Sequence, residues 1–206
     1  RRLGELQQQL ESSERQQRET MNRTRDMFHF TAAASLPEIL RQGVTRGCVN
    51  VDTTGPYDTQ PQAACLTSNG DGWDQKWADG SVLNKRKIRL TVRVPECVLT
   101  SSIEVQRHYR INEKVMDAFY PAGQRHHWYY VFSGVMPEAI VKVEVWTGSG
   151  YEGISGEELD ELVADIGKEI DEKVDFARVE SGFLRGARCC GLKQGVSSSW
   201  LFDVPA

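Results

Sequence analysis

The chain has 206 residues, the usual size of one domain, and is long enough to bury a core without disulfides or a structural metal. Its 25 Lys and Arg residues stand against 29 Asp and Glu residues, a formal net charge of -4, so any contact with a nucleic-acid backbone has to be local. No run approaches the roughly 18 uncharged residues that a membrane span requires, which predicts a soluble protein with no membrane contact.

The five cysteines predict neither a disulfide framework nor a metal site. They are odd in number and scattered, and none has the spacing of a zinc finger. The adjacent Cys189 and Cys190 could form a strained vicinal disulfide, but two ordinary thiols are the expectation. A reducing compartment fits best, which predicts the cytoplasm of a host or target cell. The chain starts at Arg1 without an initiator Met, as either a piece of a longer polypeptide or a numbering from a later residue would.

Residues 1–26 are rich in Gln, Glu and Arg and are predicted to form a polar helix or linker. Leu3 and Leu10 lie one heptad apart, which gives the helix a weak apolar seam. Two interpretations stay open: a linker helix tied to an upstream module, or a solvated helix packed loosely on its own domain. Residues 27–206 are then the folded domain.

From Met27 the pattern changes to strands and short helices. Residues 27–31 alternate as a half-buried strand does, and 35–43 read as a helix with Ser35 as N-cap, Pro37 in the first turn and Gly43 past the end. Three further segments follow in order: a buried strand at 63–68, a loop passing into a short helix at 71–81, and an alternating strand at 87–95.

The second half continues in the same way. It is predicted to contain a short helix at 112–120, strands at 128–135 and 139–146, a flexible joint at 147–156, and an acidic helix from Glu157 with Ser155 as its cap. Residues 155–206 are taken as a helix and tail appended to the domain, and the acidic helix as a surface or partner-binding element. The fold class expected from these patterns is α+β, a compact mixed sheet with few helices.

The order of these elements resembles the ADP-ribosyltransferase superfamily. The features that carry the resemblance are a strand with His-x-Thr, an amphipathic helix, an "LTS" strand, a Trp-rich helix, a basic strand, and "WYYVFSGVMPEAIVKVEV". The resemblance covers about residues 27–146 and takes in diphtheria-toxin-like enzymes, poly(ADP-ribose) polymerases, rifampicin-modifying transferases and RNA 2′-phosphotransferases. It implies a mainly antiparallel split β-sheet that binds NAD.

The first landmark of the resemblance is His29-Phe30-Thr31, where the family usually has Gly in place of Phe30. The resemblance implies that His29 donates to the adenosine-side ribose of NAD, that the main chain of Phe30 holds the nicotinamide amide, and that Thr31 supports the site. Residues i and i+2 of a strand point the same way, so both polar groups can face one ligand. The alternative is a strand histidine satisfied by a neighbouring carbonyl.

The second landmark is the "CLTS" strand with the helix that follows it. Thr67 and Ser68 are candidate cofactor contacts, although the Tyr that the family places before the Ser is missing. Trp73 and Trp77 lie four residues apart on one helix face, and Trp77 is the candidate for stacking on the nicotinamide or a substrate base. Two such residues more often belong to the core than to a ligand site.

The third landmark is a carboxylate, which ADP-ribosyl transfer uses to stabilise an oxocarbenium-like state. Many family members have a Glu at the start of the fifth strand, but residues 125–129 read Arg-His-His-Trp-Tyr. Glu113 or Asp117, four residues apart, could supply the acid instead, with Glu113 favoured because it reaches farther. Alternatively His127 or His126 takes a different role, or the segment is only a polar strand entry.

Basic residues concentrate on one face of the strand at 87–95. Alternation places Lys87, Arg89, Thr91 and Arg93 together, where Arg89 could meet the pyrophosphate of NAD or the face could meet a nucleic-acid backbone. A solvated strand face is the alternative.

The resemblance therefore implies an NAD-dependent transfer of ADP-ribose to a macromolecular acceptor, nucleic acid or protein, by a toxin or effector module. An antitoxin or immunity protein could contact the acidic helix. Two alternatives stay open. One is an inactive interaction module that has lost the acid, and the other is an RNA 2′-phosphotransferase-like enzyme, for which Arg125, His126 and His127 are the hint. No metal is predicted.

Overall fold

A computed structural model describes residues 22–45, 47–51, 60–72, 74, 83–120 and 123–179, and the isolated positions 7, 8, 11–13 and 15. Within these residues the protein is α+β with an antiparallel sheet, as the sequence predicts in outline. Every strand pairing there is antiparallel, in agreement with the mainly antiparallel sheet that was expected. No described helix combines the length and the apolar character that a membrane crossing needs.

From Thr24 onward, the described part of the chain contains seven strands and four α-helices. The strands are β1 (Thr24–Thr31), β2 (Ala64–Thr67), β3 (Ile88–Pro95), β4 (Thr100–Ser101), β5 (Trp128–Val131), β6 (Ile140–Trp146) and β7 (Tyr151–Ile154). The helices are α1 (Leu36–Gln42), α2 (Ser102–Tyr109), α3 (Glu113–Phe119) and α4 (Glu157–Val179). Single 3₁₀ turns lie at Ala33–Ser35, Glu96–Val98, Arg125–His127 and Pro137–Ala139.

The N-terminal segment is helical and exposed at its described positions 7, 8, 11–13 and 15. The polar helix does not extend to residue 26, however, because β1 already begins at Thr24. Asp26 lies opposite Arg93 of β3 and accepts a hydrogen bond from its guanidinium at 2.7 Å. The folded domain therefore begins before the predicted boundary.

The sheet has the strand order β4-β5-β2-β1-β3-β6-β7 and is weakest at its centre. β1 pairs with β3 at every position from Thr24↔Pro95 to Thr31↔Ile88. It pairs with β2 at a single position, Phe28↔Thr67. Since the later residues of β1 and the earlier residues of β2 do not pair, the sheet consists of two halves that separate beyond this one contact.

Two apolar cores hold these halves. The larger core contains Met27, Leu36 and Leu90, and α4 packs against it through Ile166, which is 2% exposed. The smaller core joins α2 and α3 to β5 through Met116 and Tyr130. Both α2 and α3 begin at a side-chain cap, Ser101 in a capping box with Glu104 and Asn112 on the amide of Val115.

The acidic helix α4 is part of this fold and not an appended element. Leu159, Leu162 and Val163 pack on the larger core beside Ile166, while acidic residues of the first turn stay exposed. The carbonyl of Gly156 accepts the first helical bonds, so the predicted cap at Ser155 is displaced by one residue. Helical periodicity predicted the helix. Its acidic residues suggested a surface element, although one face of the helix is buried.

The prediction of a flexible joint at 147–156 is wrong, because Tyr151–Ile154 within it form a strand. β7 pairs along β6 from Val143↔Ile154 to Trp146↔Tyr151, after a tight turn that contains Gly148 with φ of 101°. The hydroxyl of Tyr151 donates to the carbonyl of Arg86 at 2.6 Å. The glycines that read as a joint form the turn of a β-hairpin instead.

Candidate functional site

A cavity of about 380 Å³ lies where β1 and β2 separate. Its polar lining includes His29 and Thr31 of β1, Glu38 of α1, Asn50 and Lys85. Its lining also contains aromatic residues from the end of α3 and from β5: Phe119, Tyr120, Trp128 and Tyr130. The two sheet halves and the helices packed on them thus meet around one concave site, the kind of place where small ligands bind.

His29 is held at this site by its neighbour on β2. Its Nδ1 lies 2.9 Å from the carbonyl oxygen of Cys65. Because a carbonyl can only accept, Nδ1 carries the proton, and Nε2 of the neutral ring is an acceptor. Burial lowers the pKa of His29, and the charge of Lys85 acts in the same direction. The ring is therefore neutral at pH 7, and toward a ligand it accepts a hydrogen bond, in contrast to the donor role that the resemblance implied.

Of the other described residues of the first two landmarks, all but Ser68 lie at the same cavity. Thr31, 7% exposed, and Thr67, 1% exposed, both line it. Phe30 also lines it, although its ring contacts the ring of Tyr151 at 5.9 Å. Ser68 does not line it, and Trp77 lies outside the described residues, as does Trp73. The structure brings together His29, Phe30, Thr31 and Thr67.

The aromatic wall is a feature that the sequence analysis missed. Tyr120 contacts Trp128 and Tyr130, with ring centroids at 5.9 and 6.5 Å. These three rings are at most 8% exposed, so their positions are fixed by the smaller core. The alternation of Trp128 and Tyr130 along β5 was the available signal, whereas the sequence analysis proposed the tryptophans of the 71–81 segment.

Two thiols also line the cavity, Cys48 and Cys65. The Cys65 thiol donates to the carbonyl of Cys48 at 3.3 Å. Burial raises the pKa of Cys65 to about 12, so it is protonated at neutral pH. This thiol is consequently a packing group and not a nucleophile. Cys189 and Cys190 lie outside the described residues.

Glu113 and Asp117 do not line the cavity, contrary to the expectation that they face the cleft. Both are exposed on α3 and bind Arg125, whose Nη1 lies 2.6 Å from Glu113 and whose Nη2 lies 2.5 Å from Asp117. The hydrogen bond from Arg125, with a second from Gln106, lowers the pKa of Glu113. Their spacing places them on one helix face as predicted, but that face binds the arginine.

His127 and Ser68 come together beside the cavity. Ser68 Oγ lies 2.8 Å from Nδ1 of His127, and the ring of His126 lies 3.9 Å from that of His127. Burial lowers the pKa of His127, and His126 adds to the effect. Ser68 follows Thr67 in the chain, and His127 precedes Trp128. Thr67 and Trp128 pair between β2 and β5, and both line the cavity. Arg125 points to α3 instead, so the Arg-His cluster expected of a phosphotransferase is not formed.

Arg89 lies on the sheet and is not part of the cavity lining. Its Nε and Nη2 bind the two carboxylate oxygens of Glu144 at 2.8 and 2.9 Å, and its Nη1 donates to the carbonyl of Gly70 at 2.6 Å. The guanidinium also lies over the ring of Tyr151, 4.2 Å from its centroid. Burial raises the pKa of Glu144, but the hydrogen bonds from Arg89 and Lys142 outweigh it and hold the pKa below its ordinary value.

The basic face predicted for β3 is therefore matched by carboxylates. Asp26 of β1 lies opposite Arg93, and Glu144 of β6 lies opposite Arg89. A single strand read alone shows its charges but not those that its neighbours place beside it. The ion pairs neutralise Arg89 and Arg93, and contact of this face with a pyrophosphate or a nucleic acid stays a prediction.

Glu38 and Lys85 are the charged residues of the site that the sequence analysis missed. Among the described lining residues, Glu38 is the only carboxylate and Lys85 the only Lys or Arg. Glu38 stands in the helix directly after the His-x-Thr strand, which was the signal that could have located it.

Over the residues described here, no group of three or more His, Cys, Asp or Glu side chains could hold a metal ion. No protein-family model, curated protein or solved structure matches this chain. The possible chemistry of the site therefore follows from its own geometry.

Proposed function

We propose that the chain binds NAD in the cavity between the two sheet halves and transfers ADP-ribose to a macromolecular acceptor. The observation that carries the proposal is that His29 and Thr31 line a cavity at the point where β1 and β2 stop pairing. The resemblance in sequence implied a ligand at these two residues, and they lie at one concave site.

The residues of the cavity fit a dinucleotide chemically. A volume of about 380 Å³ is within the range of small-molecule pockets, about 300–1,000 Å³. Phe28 and Phe119, the half-buried rings of the lining, can offer apolar surface to a nicotinamide or adenine ring. Nε2 of His29 can accept from a ribose hydroxyl, and the ammonium of Lys85 can attract the pyrophosphate. When bound, NAD supplies the ADP-ribose group that is transferred.

The acceptor is proposed to be a protein in preference to a nucleic acid. The pairing of Arg89 with Glu144 and of Arg93 with Asp26 removes the basic face that favoured a nucleic acid. The net charge of -4 acts in the same direction. As part of the same proposal, the module works as a toxin or effector in the cytoplasm of a target cell, and an antitoxin or immunity protein meets the exposed acidic residues of α4.

A second candidate function is a binding module without transfer activity. The observation that favours it is the position of Glu113 and Asp117, which Arg125 binds outside the cavity. If no other carboxylate serves, the site would bind NAD and leave it intact. The third alternative, an RNA 2′-phosphotransferase-like enzyme, loses support because Arg125 does not converge with His126 and His127.

The test is incubation of the purified chain with adenylate-labelled NAD, cell protein and nucleic acid, followed by nuclease or protease digestion. We expect label that protease removes and nuclease does not. His29→Gln should abolish labelling, whereas His108→Gln, a change at an exposed histidine of α2 outside the cavity, should not. Full labelling by His29→Gln would contradict the assignment of the site. An unlabelled wild type that still binds NAD would support the binding module.

A further inference from the structure

The proposed transfer requires a carboxylate beside the nicotinamide ribose. The reaction breaks the bond between the ribose carbon and the nicotinamide nitrogen, whose electron pair leaves with neutral nicotinamide. A new bond forms to the acceptor atom, which loses its proton to solvent, and nothing is oxidised or reduced. Positive charge grows on the ribose as the bond breaks, so a fixed carboxylate stabilises the transition state.

Three carboxylates that could be considered are committed elsewhere. Glu113 and Asp117 bind Arg125 and do not line the cavity. Glu144 is 2% exposed and binds both Arg89 and Lys142 on the sheet, also outside the lining. Because these three carboxylates lie outside the cavity lining, they do not contact a ligand bound inside it.

Glu38 is placed differently from these three. It lines the cavity together with His29, and it is the only carboxylate among the described lining residues. It is half-buried in the first turn of α1, between the fully buried Leu36 and Ile39, which packs on the larger core. The helix segment that carries it is thus fixed by core packing on either side.

The far end of α1 is fixed as well. Gly43 ends the helix with φ of 81°, and a Cβ at this position would overlap the carbonyl oxygen of Val135. Val44 exchanges two backbone hydrogen bonds with Val135, at 2.8 and 3.0 Å. A helix anchored at both ends holds Glu38 in one place relative to β1, as a preorganised catalytic group requires.

The charges of the cavity suit this role. Lys85 is the only Lys or Arg among the described lining residues, and His29 is neutral because burial lowers its pKa. The described lining therefore carries one lysine, with the sign of charge that a pyrophosphate needs, and one carboxylate, the kind of group that stabilises positive charge on a ribose.

We propose that Glu38 is the catalytic carboxylate of this site, acting on the nicotinamide ribose in place of Glu113 or Asp117. The inference rests on the proposed function, since it names a residue for the transfer that the cavity is proposed to perform.

The test separates NAD binding from turnover in Glu38→Gln, which keeps the shape and removes the charge. Binding is measured by calorimetry and release of nicotinamide by chromatography. We expect the Kd to change by no more than about twofold and the turnover to fall by about 100-fold or more, the typical loss on removing one preorganised electrostatic group. The matched control is Glu138→Gln, an exposed residue of the 3₁₀ turn Pro137–Ala139 outside the lining, which should match the wild type in both measurements.

The outcomes are distinguishable. Unchanged turnover in Glu38→Gln, with loss in Glu113→Gln, overturns the inference and leaves the proposed function standing. A wild type that binds NAD without turnover overturns the inference in favour of the binding module, and a wild type that binds no NAD overturns the proposed function itself. If Glu38→Gln does not fold, as judged by its thermal transition, Glu38→Asp decides. It keeps the charge at a shorter reach, so we expect more turnover than in Glu38→Ala at equal Kd, and equal turnover in the two would contradict the inference.

Discussion

The cavity and the face of β3 both gather polar side chains from strands, but the strands pair differently in the two regions. On β3, pairing with β1 places Asp26 directly opposite Arg93, and pairing with β6 places Glu144 directly opposite Arg89. At the cavity, β1 and β2 share one pair, so the strands leave a space instead of a partner. The comparison shows that charged side chains on paired strands form ion pairs with the neighbouring strand. Where the pairing is interrupted, polar side chains surround a volume that a small ligand can fill.

The largest effect is expected from breaking the buried pair on β3. Arg89→Met leaves the buried carboxylate of Glu144 with Lys142 alone, and loss of one partner of a buried ion pair typically costs about 3–5 kcal/mol. The free energy of unfolding from urea denaturation measures it. Arg93→Met breaks the exposed pair with Asp26 and should change little. Equal destabilisation by the two variants would contradict the distinction between them.

The next effect is expected at the cavity side, from Gly43→Ala. The residue is held at φ of 81°, which alone costs about 1–3 kcal/mol for a non-glycine residue, and the added Cβ also meets the carbonyl of Val135, so we expect a destabilisation above the cost of the strain alone. A displaced α1 should also reduce release of nicotinamide, because Glu38 is carried by that helix. The control is Gly123→Ala, where φ is 92° but nothing lies within 4 Å of the new Cβ. If both variants destabilise the chain equally, the close approach of α1 to Val135 contributes nothing.

The smallest effect is a pH dependence that comes from His29. Its pKa in the folded chain is lowered from the ordinary 6.5 by burial, so the unfolded chain takes up this proton first as the pH falls. The stabilisation is therefore complete above pH 6.5 and declines below it, down to the pKa of the folded state. Denaturation of the wild type and His29→Gln across this window should show a stability difference that shifts against the wild type at low pH. A constant difference would mean that His29 is not buried as a neutral ring.

Local patterns were enough to predict most of the elements around the cavity. Alternation located β1 and β3, helical spacing with Gly43 located α1, and periodicity located α4. Features that depend on distant residues were missed. The glycine-rich segment before α4 forms β7 only because β6 lies beside it, and α4 buries its apolar face against a core that the sequence does not display.

The candidate site was predictable only in part for the same reason. His29 and Thr31 follow from strand alternation and the resemblance, and both line the cavity. Glu113 and Asp117 have the right spacing, but their use depends on Arg125, which reaches them from a separate turn. Lys85 lines the cavity with His29 although the two are far apart in sequence, which no local pattern encodes, whereas Glu38 stands in the helix that directly follows the strand of His29.

The most direct test of the central claim is calorimetric titration of NAD into the wild-type chain, His29→Gln and His108→Gln. The account predicts saturable binding of one NAD per chain by the wild type and by His108→Gln, and at least tenfold weaker binding by His29→Gln, or about 1.4 kcal/mol. Absence of binding to the wild type, or equal binding by His29→Gln, would contradict the claim that the space between β1 and β2 is an NAD site.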